Sequence, residues 1–158
     1  GEIFLPQLIQ SAGAAQAGFE EIRKVMTRSS QSEVNLSKGK IILATVKGDI
    51  HDIGKNIVKV VLENSGYQII DLGKDVPIEV VRQTVLRENA KLVGLSALMT
   101  TTVKNMEETI RDLKNHSECK IMVGGAVLTK DYALSIGADY FAKDAKAAMD
   151  IAKKVFEE

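Results

Sequence analysis

The chain has no tryptophan, and aromatic residues make up only 4% of it. Hydrophobic residues still reach 45%, so any core must be aliphatic. A single cysteine, Cys119, is present. That excludes a disulfide framework and a zinc site built from several thiolates, and it suits a reducing, cytoplasmic setting. There is no net charge, with Lys+Arg 21 against Asp+Glu 21, so neither nucleic acid nor an acidic membrane surface is favoured as a partner. No apolar run is long enough to span a membrane, and no signal-peptide pattern opens the chain. An initiator methionine is missing too: Gly1-Glu2-Ile3-Phe4-Leu5-Pro6 enters abruptly at an apolar segment and reads as part of a longer protein. The 158 residues fit one main domain with a small appendage.

What is present centres on Lys47-Gly48-Asp49-Ile50-His51-Asp52-Ile53-Gly54-Lys55-Asn56. The apolar run Ile41–Val46 before it reads as a buried parallel strand. A helical pattern follows, with Ile57, Val60, Val61 and Leu62 on one face. A polar, Gly-flanked loop therefore joins a core strand to a helix, where α/β domains place ligands. His51 is one of two histidines in the chain. Asp49 precedes it by two residues, and in extended backbone such positions share a side. A carboxylate beside an imidazole accepts one ring N–H and leaves the other nitrogen as a lone-pair donor to a metal. Three other readings compete: a solvated turn, a phosphate loop, and a hard divalent cation on Asp49 and Asp52. The phosphate loop is one residue too long from Gly48 to Lys55, has Asn56 in place of Ser/Thr, and carries two repelling acids. The cation would lack a further acidic cluster.

Towards the N-terminus, Leu8, Ala12, Ala15, Phe19, Ile22, Val25 and Met26 recur at helical spacing, with Pro6 suited to a first turn. Such a helix cannot bury itself alone. The Ser-rich stretch from Arg28 to Glu33 reads as a linker. The expected domains are a partial helical cap segment over 1–28, a linker over 29–39, and an α/β domain over 40–158. Expected strands are Lys40–Val46, Tyr67–Leu72, Leu92–Ser96, Ile121–Gly124 and Tyr140–Phe141. Expected helices are Gly54–Asn64, Ile78–Glu88, Thr101–Asn115, Lys130–Ile136 and Ala145–Phe156, the first stopped by Ser65-Gly66. This alternation predicts a flavodoxin-like, doubly wound five-stranded parallel sheet of order 2-1-3-4-5.

In that order a crevice opens between strands 1 and 3 at their carboxyl ends. The histidine loop, the hydroxyl-rich Ser96-Ala97-Leu98-Met99-Thr100-Thr101-Thr102 and the turn Gly124-Gly125-Ala126 converge there. Hydroxyls can extend a network from Asp49, and paired glycines allow close backbone approach. A plain capping role for Thr101 or Thr102 is the bland alternative. A receiver-type signalling domain is the rival on this fold, but it carries its phosphorylated aspartate at the end of strand 3, where this chain has Ser96. Cys119 reads as packing and His116 as a surface group at a helix C-terminus; Lys55 and Lys143 read as surface or tail-adjacent and receive no role.

The ordered set Asp49-x-His51-x-x-Gly54, Gly94-Leu95-Ser96 and Gly124-Gly125 resembles the cobalamin-binding domain of corrinoid methyltransferases. The text from Val46 to Val58 is most similar to cobalamin-dependent methionine synthase, and Phe4-Leu5-Pro6-Gln7 through Ser11-Ala12 resembles the end of its helical cap. Free-standing corrinoid proteins of methanol, methylamine and methoxyarene systems share most of the pattern and are the alternative. The resemblance implies cobalamin bound with its own base displaced and a methyl group carried on cobalt. His51 is then the lower cobalt ligand, with Asp49 and Thr102 completing a relay. Thr102 stands where Ser is familiar, and Thr101 where some relatives have Pro. Gly48, Ile50, Asp52, Ile53 and Gly54 of the same loop, with Ser96, Leu98, Thr100, Gly124, Gly125 and Ala126, contact the cofactor and its tail. Leu5 and Leu8 cover the upper face, though most of the cap bundle is absent. Once the methyl is handed on, the reduced cobalt needs no lower ligand, and His51 detaches and takes up a proton beside Asp49. Implied partners are methyl-donor and methyl-acceptor domains or subunits, binding folate and homocysteine in the methionine synthase reading, and a reactivation protein or domain.

Overall fold

A computed structural model describes residues 37–157 together with Gly18. The chain divides after Leu36, and the unit that starts at Ser37 carries the architecture. Its elements run β1 (Lys40–Thr45), α1 (Ile53–Asn64), β2 (Gln68–Asp71), α2 (Ile78–Glu88), β3 (Leu92–Ser96), α3 (Val103–His116), β4 (Lys120–Gly124), α4 (Lys130–Ser135), β5 (Tyr140–Phe141) and α5 (Ala145–Glu157). The strands form one sheet of order β2-β1-β3-β4-β5, and every pairing is parallel. This is the flavodoxin-like doubly wound fold expected from the alternation of strand and helix patterns.

The apolar strands are explained by burial on both faces. Ile42, Ala44 and Val46 pack with Val81 and Val85 of α2 and Met106 and Ile110 of α3. Their neighbours Ile41 and Leu43 point the other way, towards Leu62 of α1 and Ala148 and Ala152 of α5. With few aromatics, both layers are filled by branched aliphatics and alanine. Helix α1 stops where Ser65-Gly66 was expected to stop it: Ser65 is the C-cap and its N–H donates to the Val61 and Leu62 carbonyls. Gly66 then takes a left-handed φ of 91°.

Two expectations need correction. Helix α3 begins at Val103 rather than Thr101, because a turn closed by the Thr102 N–H on the Met99 carbonyl precedes it (3.1 Å). Ile57 is 48% exposed, so the packed face of α1 is not the one read from Ile57. It runs through Lys55, Val58 and Leu62, at i, i+3 and i+7. Leu62 is fully buried between α1 and the sheet, so Leu62→Ala should cost about 2–5 kcal/mol. Urea unfolding of the variant beside the unaltered chain measures that loss.

Candidate cofactor site

The order reversal places the exits of β1 and β3 side by side, and β4 follows. The β1 exit begins with a tight turn in which the Asp49 N–H donates to the Val46 carbonyl at 3.0 Å. Gly48 sits inside that turn at φ 81°, a backbone conformation that suits glycine. The turn buries Asp49 completely. Its Oδ1 accepts the His51 backbone N–H at 3.0 Å and pairs with His51 Nδ1 at 2.8 Å. Its Oδ2 accepts the N–H groups of Leu98 at 2.7 Å and Met99 at 3.3 Å. The Thr102 hydroxyl, 2.7 Å from Oδ2, also lies 2.8 Å from the Met99 carbonyl, so its single proton is shared between the two acceptors. Thr102 occupies the N-cap position of α3 without making a side-chain cap bond, which sets aside the plain capping role.

Burial pushes the Asp49 carboxyl up, but the N–H groups of His51 and Leu98, the Thr102 hydroxyl and the His51 ring together outweigh it. The group is held well below the usual carboxylate range. An ionised Asp49 offers His51 Nδ1 only acceptors, so Nδ1 carries the proton and Nε2 carries the lone pair. The His51 side chain is 44% exposed, which leaves Nε2 open to an incoming metal.

Beside the imidazole a slot of about 720 Å³ runs between the sheet and the α1/α5 layer. Its depth comes from small side chains on separate elements: Gly94 of β3, Ala142 after β5 and Ala148 of α5, with Leu43, Val58 and Met122 as apolar walls. Ile50, Ile53, Ile57 and Leu98 are large, exposed and apolar at its mouth, a patch of the kind that marks a binding surface. Gly54 also lines it, and a Cβ there would meet nothing within 4 Å. The protein's own packing does not demand that glycine. Among the described residues no group of three or more His, Cys, Asp or Glu side chains could hold a bare metal ion. A metal held here by one imidazole must bring its other ligands with it, as a corrin does. An apolar slot, an apolar rim and one free imidazole nitrogen fit such a group.

The slot gathers Ile50, His51, Asp52, Ile53, Gly54, Ser96, Leu98, Gly124, Gly125 and Ala126 from the expected set. Asp49 and Thr102 stand behind His51, joined to it by the hydrogen bonds above. Gly48 and Thr100 are exposed and do not line the slot; the Gly48 N–H is bound to Asp75. Leu5 and Leu8 lie outside the described residues. The Ser96 hydroxyl is engaged with that of buried Thr45 at 2.8 Å. Gly125 has φ 145°, and a Cβ there would overlap the Ala97 carbonyl, so close packing of the β3 and β4 exits already requires glycine.

Sequence reasoning missed Lys55. It is buried, lines the slot and pairs with Asp71 at the end of β2, which Lys59 also reaches at 3.1 Å. Burial raises the Asp71 carboxyl, yet Lys55, the Gly73 N–H and Lys59 outweigh it and hold it below the usual range. Helical period was the available signal, since Lys55 shares a face with Val58 and Leu62. Lys143 and Asp144 line the slot as well. Cys119 is buried, and burial pushes its thiol up, in keeping with inert packing. His116 Nδ1 lies 2.8 Å from the Asp112 carbonyl at the end of α3, away from the site.

Fold and site together define a cofactor module that takes a metal already ligated in a ring. Residues 39–152 match the family model for the B12 binding domain, and the chain belongs to that family; its cofactor is cobalamin. It is 40% identical over 158 residues to dimethylamine corrinoid protein 1 of Methanosarcina acetivorans, covering 98% of this chain and 73% of that protein. Among solved structures it resembles a cobalamin-binding protein from Desulfitobacterium hafniense at TM-score 0.71 and 37% identity, covering 75% of this chain and 59% of that one. It also resembles the methanol:cobalamin methyltransferase complex of Methanosarcina barkeri at TM-score 0.75 and 33% identity. There the match covers 98% of this chain and 58% of that one. By their names these relatives are a dimethylamine corrinoid protein, a cobalamin-binding protein and a methanol:cobalamin methyltransferase complex. They favour the methylamine and methanol alternative over the methionine synthase reading, which they do not support. Among the described residues no helix is long and apolar enough to cross a membrane.

Asp49 has a lower pKa folded than its ordinary value of 3.8, so it stabilises the fold fully above that value, and the contribution is lost as pH falls below it. Asp49→Asn should cost about 1–3 kcal/mol near neutrality. It should also flatten the fall in stability below about pH 4. Urea unfolding of both chains across that range measures the difference.

Proposed function

We propose that this chain carries a methyl group on cobalamin between methyltransferase subunits of a methylated-amine system. The single observation that carries the reading is the Asp49–His51 pair, with a protonated Nδ1 and an open Nε2 beside an apolar slot. The dimethylamine and trimethylamine corrinoid proteins among the relatives, 38–40% identical, support the choice of methylated amines. Bound cobalamin supplies a cobalt that accepts and gives up a methyl group.

The chain's own residues do the rest. His51 Nε2 would hold the cobalt of bound cobalamin. Asp49 fixes the ring's tautomer and orientation through Nδ1 and would keep Nε2 turned towards the metal. Thr102 shares its proton between Asp49 and the Met99 carbonyl and tunes the carboxylate's basicity. The wall formed by Leu43, Gly94, Met122 and Ala148 takes the displaced tail. The isoleucines and Leu98 at the mouth would pack against the bound corrin and exclude water. In this reading residues 1–28, with Leu5 and Leu8, belong to a helical cap, and 29–39 are the linker to the cofactor domain. The partners are a subunit that loads the methyl group, a subunit that removes it, and a reactivating protein.

His51→Gly should still bind cobalamin through the slot, because tail contacts and metal ligation are separate. It should lose the histidine nitrogen splitting in the cobalt(II) EPR spectrum. A variant that keeps that splitting refutes the assignment. Demethylation of mono-, di- or trimethylamine by the loaded chain with the matching methyltransferase tests the substrate class; transfer from methanol alone would redirect it.

A further inference from the structure

The loop carrying Asp49 and His51 is also gripped from β2. The segment leaving β2 runs beside the β1 exit as an outrigger. The Leu72 N–H donates to the Leu43 carbonyl at 2.8 Å, the Thr45 N–H to the Gly73 carbonyl at 3.0 Å, and the Val76 N–H to the Thr45 carbonyl at 3.1 Å. Val46 and Val76 form an isolated parallel bridge. Within this run Asp75 makes two bonds of opposite sense. Its Oδ1 accepts the Gly48 N–H at 2.7 Å, and its own N–H donates to the Asp49 carbonyl at 2.9 Å. The two bonds bracket Gly48 and Asp49, the two residues that turn the carboxylate inward.

Asp75 holds φ at 53°, in the left-handed region that Asp and Asn tolerate better than other side-chain-bearing residues. A second grip lies just beyond the histidine. Lys55, in the first turn of α1, pairs with Asp71 Oδ1, which also accepts the Gly73 N–H at 2.9 Å. The histidine loop is thus fastened to one segment both before and after His51.

We propose that Asp75 is a positioning residue. It sets the Gly48–Asp49 backbone and so aims the Asp49 carboxylate and the His51 ring at the metal. Asp75 does not line the slot, so it acts only through the loop. The proposal rests on His51 being the metal ligand.

Two substitutions separate backbone shape from hydrogen bonding. Asp75→Asn keeps both the left-handed tolerance and an acceptor oxygen, whereas Asp75→Gly keeps the backbone freedom and the N–H bond to the Asp49 carbonyl but loses the acceptor for the Gly48 N–H. Amide hydrogen exchange on the cofactor-free chain reads the brace directly. Asp75→Gly should speed exchange at Gly48 about tenfold or more, and Asp75→Asn should stay within about twofold of the unaltered chain. After cobalamin is added, cobalt(II) EPR reads the aim. Asp75→Gly should bind cofactor yet lose more than about half of the histidine-ligated signal, and Asp75→Asn should restore it.

Unchanged exchange and an unchanged EPR signal in Asp75→Gly overturn the proposal alone. Missing histidine splitting in the unaltered chain overturns the ligand reading and the proposal with it. Should Asp75→Gly not fold, the unaltered chain decides. A Gly48 amide that exchanges as fast as an unstructured one overturns the brace, and protection there that persists in Asp75→Asn supports it.

Discussion

The site depends on keeping one carboxylate ionised where water does not reach. A buried charge is costly unless hydrogen bonds replace its hydration. Asp49 receives that replacement from the His51, Leu98 and Met99 N–H groups, the His51 ring and the Thr102 hydroxyl. Those donors come from the β1 exit, the β3 exit and the start of α3. Satisfying the carboxylate therefore assembles the loops that surround the crevice. The same interaction fixes the imidazole proton on Nδ1, so one charge both builds the loop and leaves a lone pair on Nε2.

The fold was legible in the sequence because a parallel sheet covered on both faces writes itself as continuous apolar runs. Ile41–Val46 and Leu92–Ser96 were plain for that reason. The Asp49–His51 pair was legible because its partners are two residues apart. Distance in the chain hid the rest. The slot is lined by Gly94, Ala142 and Ala148 from three separate places in the chain, and none of them signals a cavity alone. Lys55 read as surface or tail-adjacent without a role, since a lysine is seldom buried without a partner, and its partner Asp71 lies 16 residues on, in a strand. Asp75 carried no signal at all: its role comes from a positive φ and from bonds to residues 26 and 27 positions earlier. Gly48 and Thr100 sit in the tight turns that open the two loops, outside the slot lining, and their nearness in sequence to His51 and Ser96 does not by itself place them in it.

The division of labour within the crevice follows from the donor set. One half-exposed imidazole is a weak anchor for any metal, and no further cluster of ligating side chains accompanies it among the described residues. Affinity must then come from apolar burial, which scales with area at roughly 25 cal/mol per Å², and the slot and the isoleucine rim supply that area. In the proposed arrangement the imidazole is free to bind or release the metal without loss of the cofactor, because what it contributes is separable from what holds the tail. A loop that only needed to grip would gain from several ligands. A loop that must alternate gains from a single ligand whose orientation is held from behind by a carboxylate of constant charge. The depressed pKa of Asp49 keeps that charge constant near neutral pH, so the acceptor facing His51 Nδ1 does not change while the ring's other nitrogen is engaged or free.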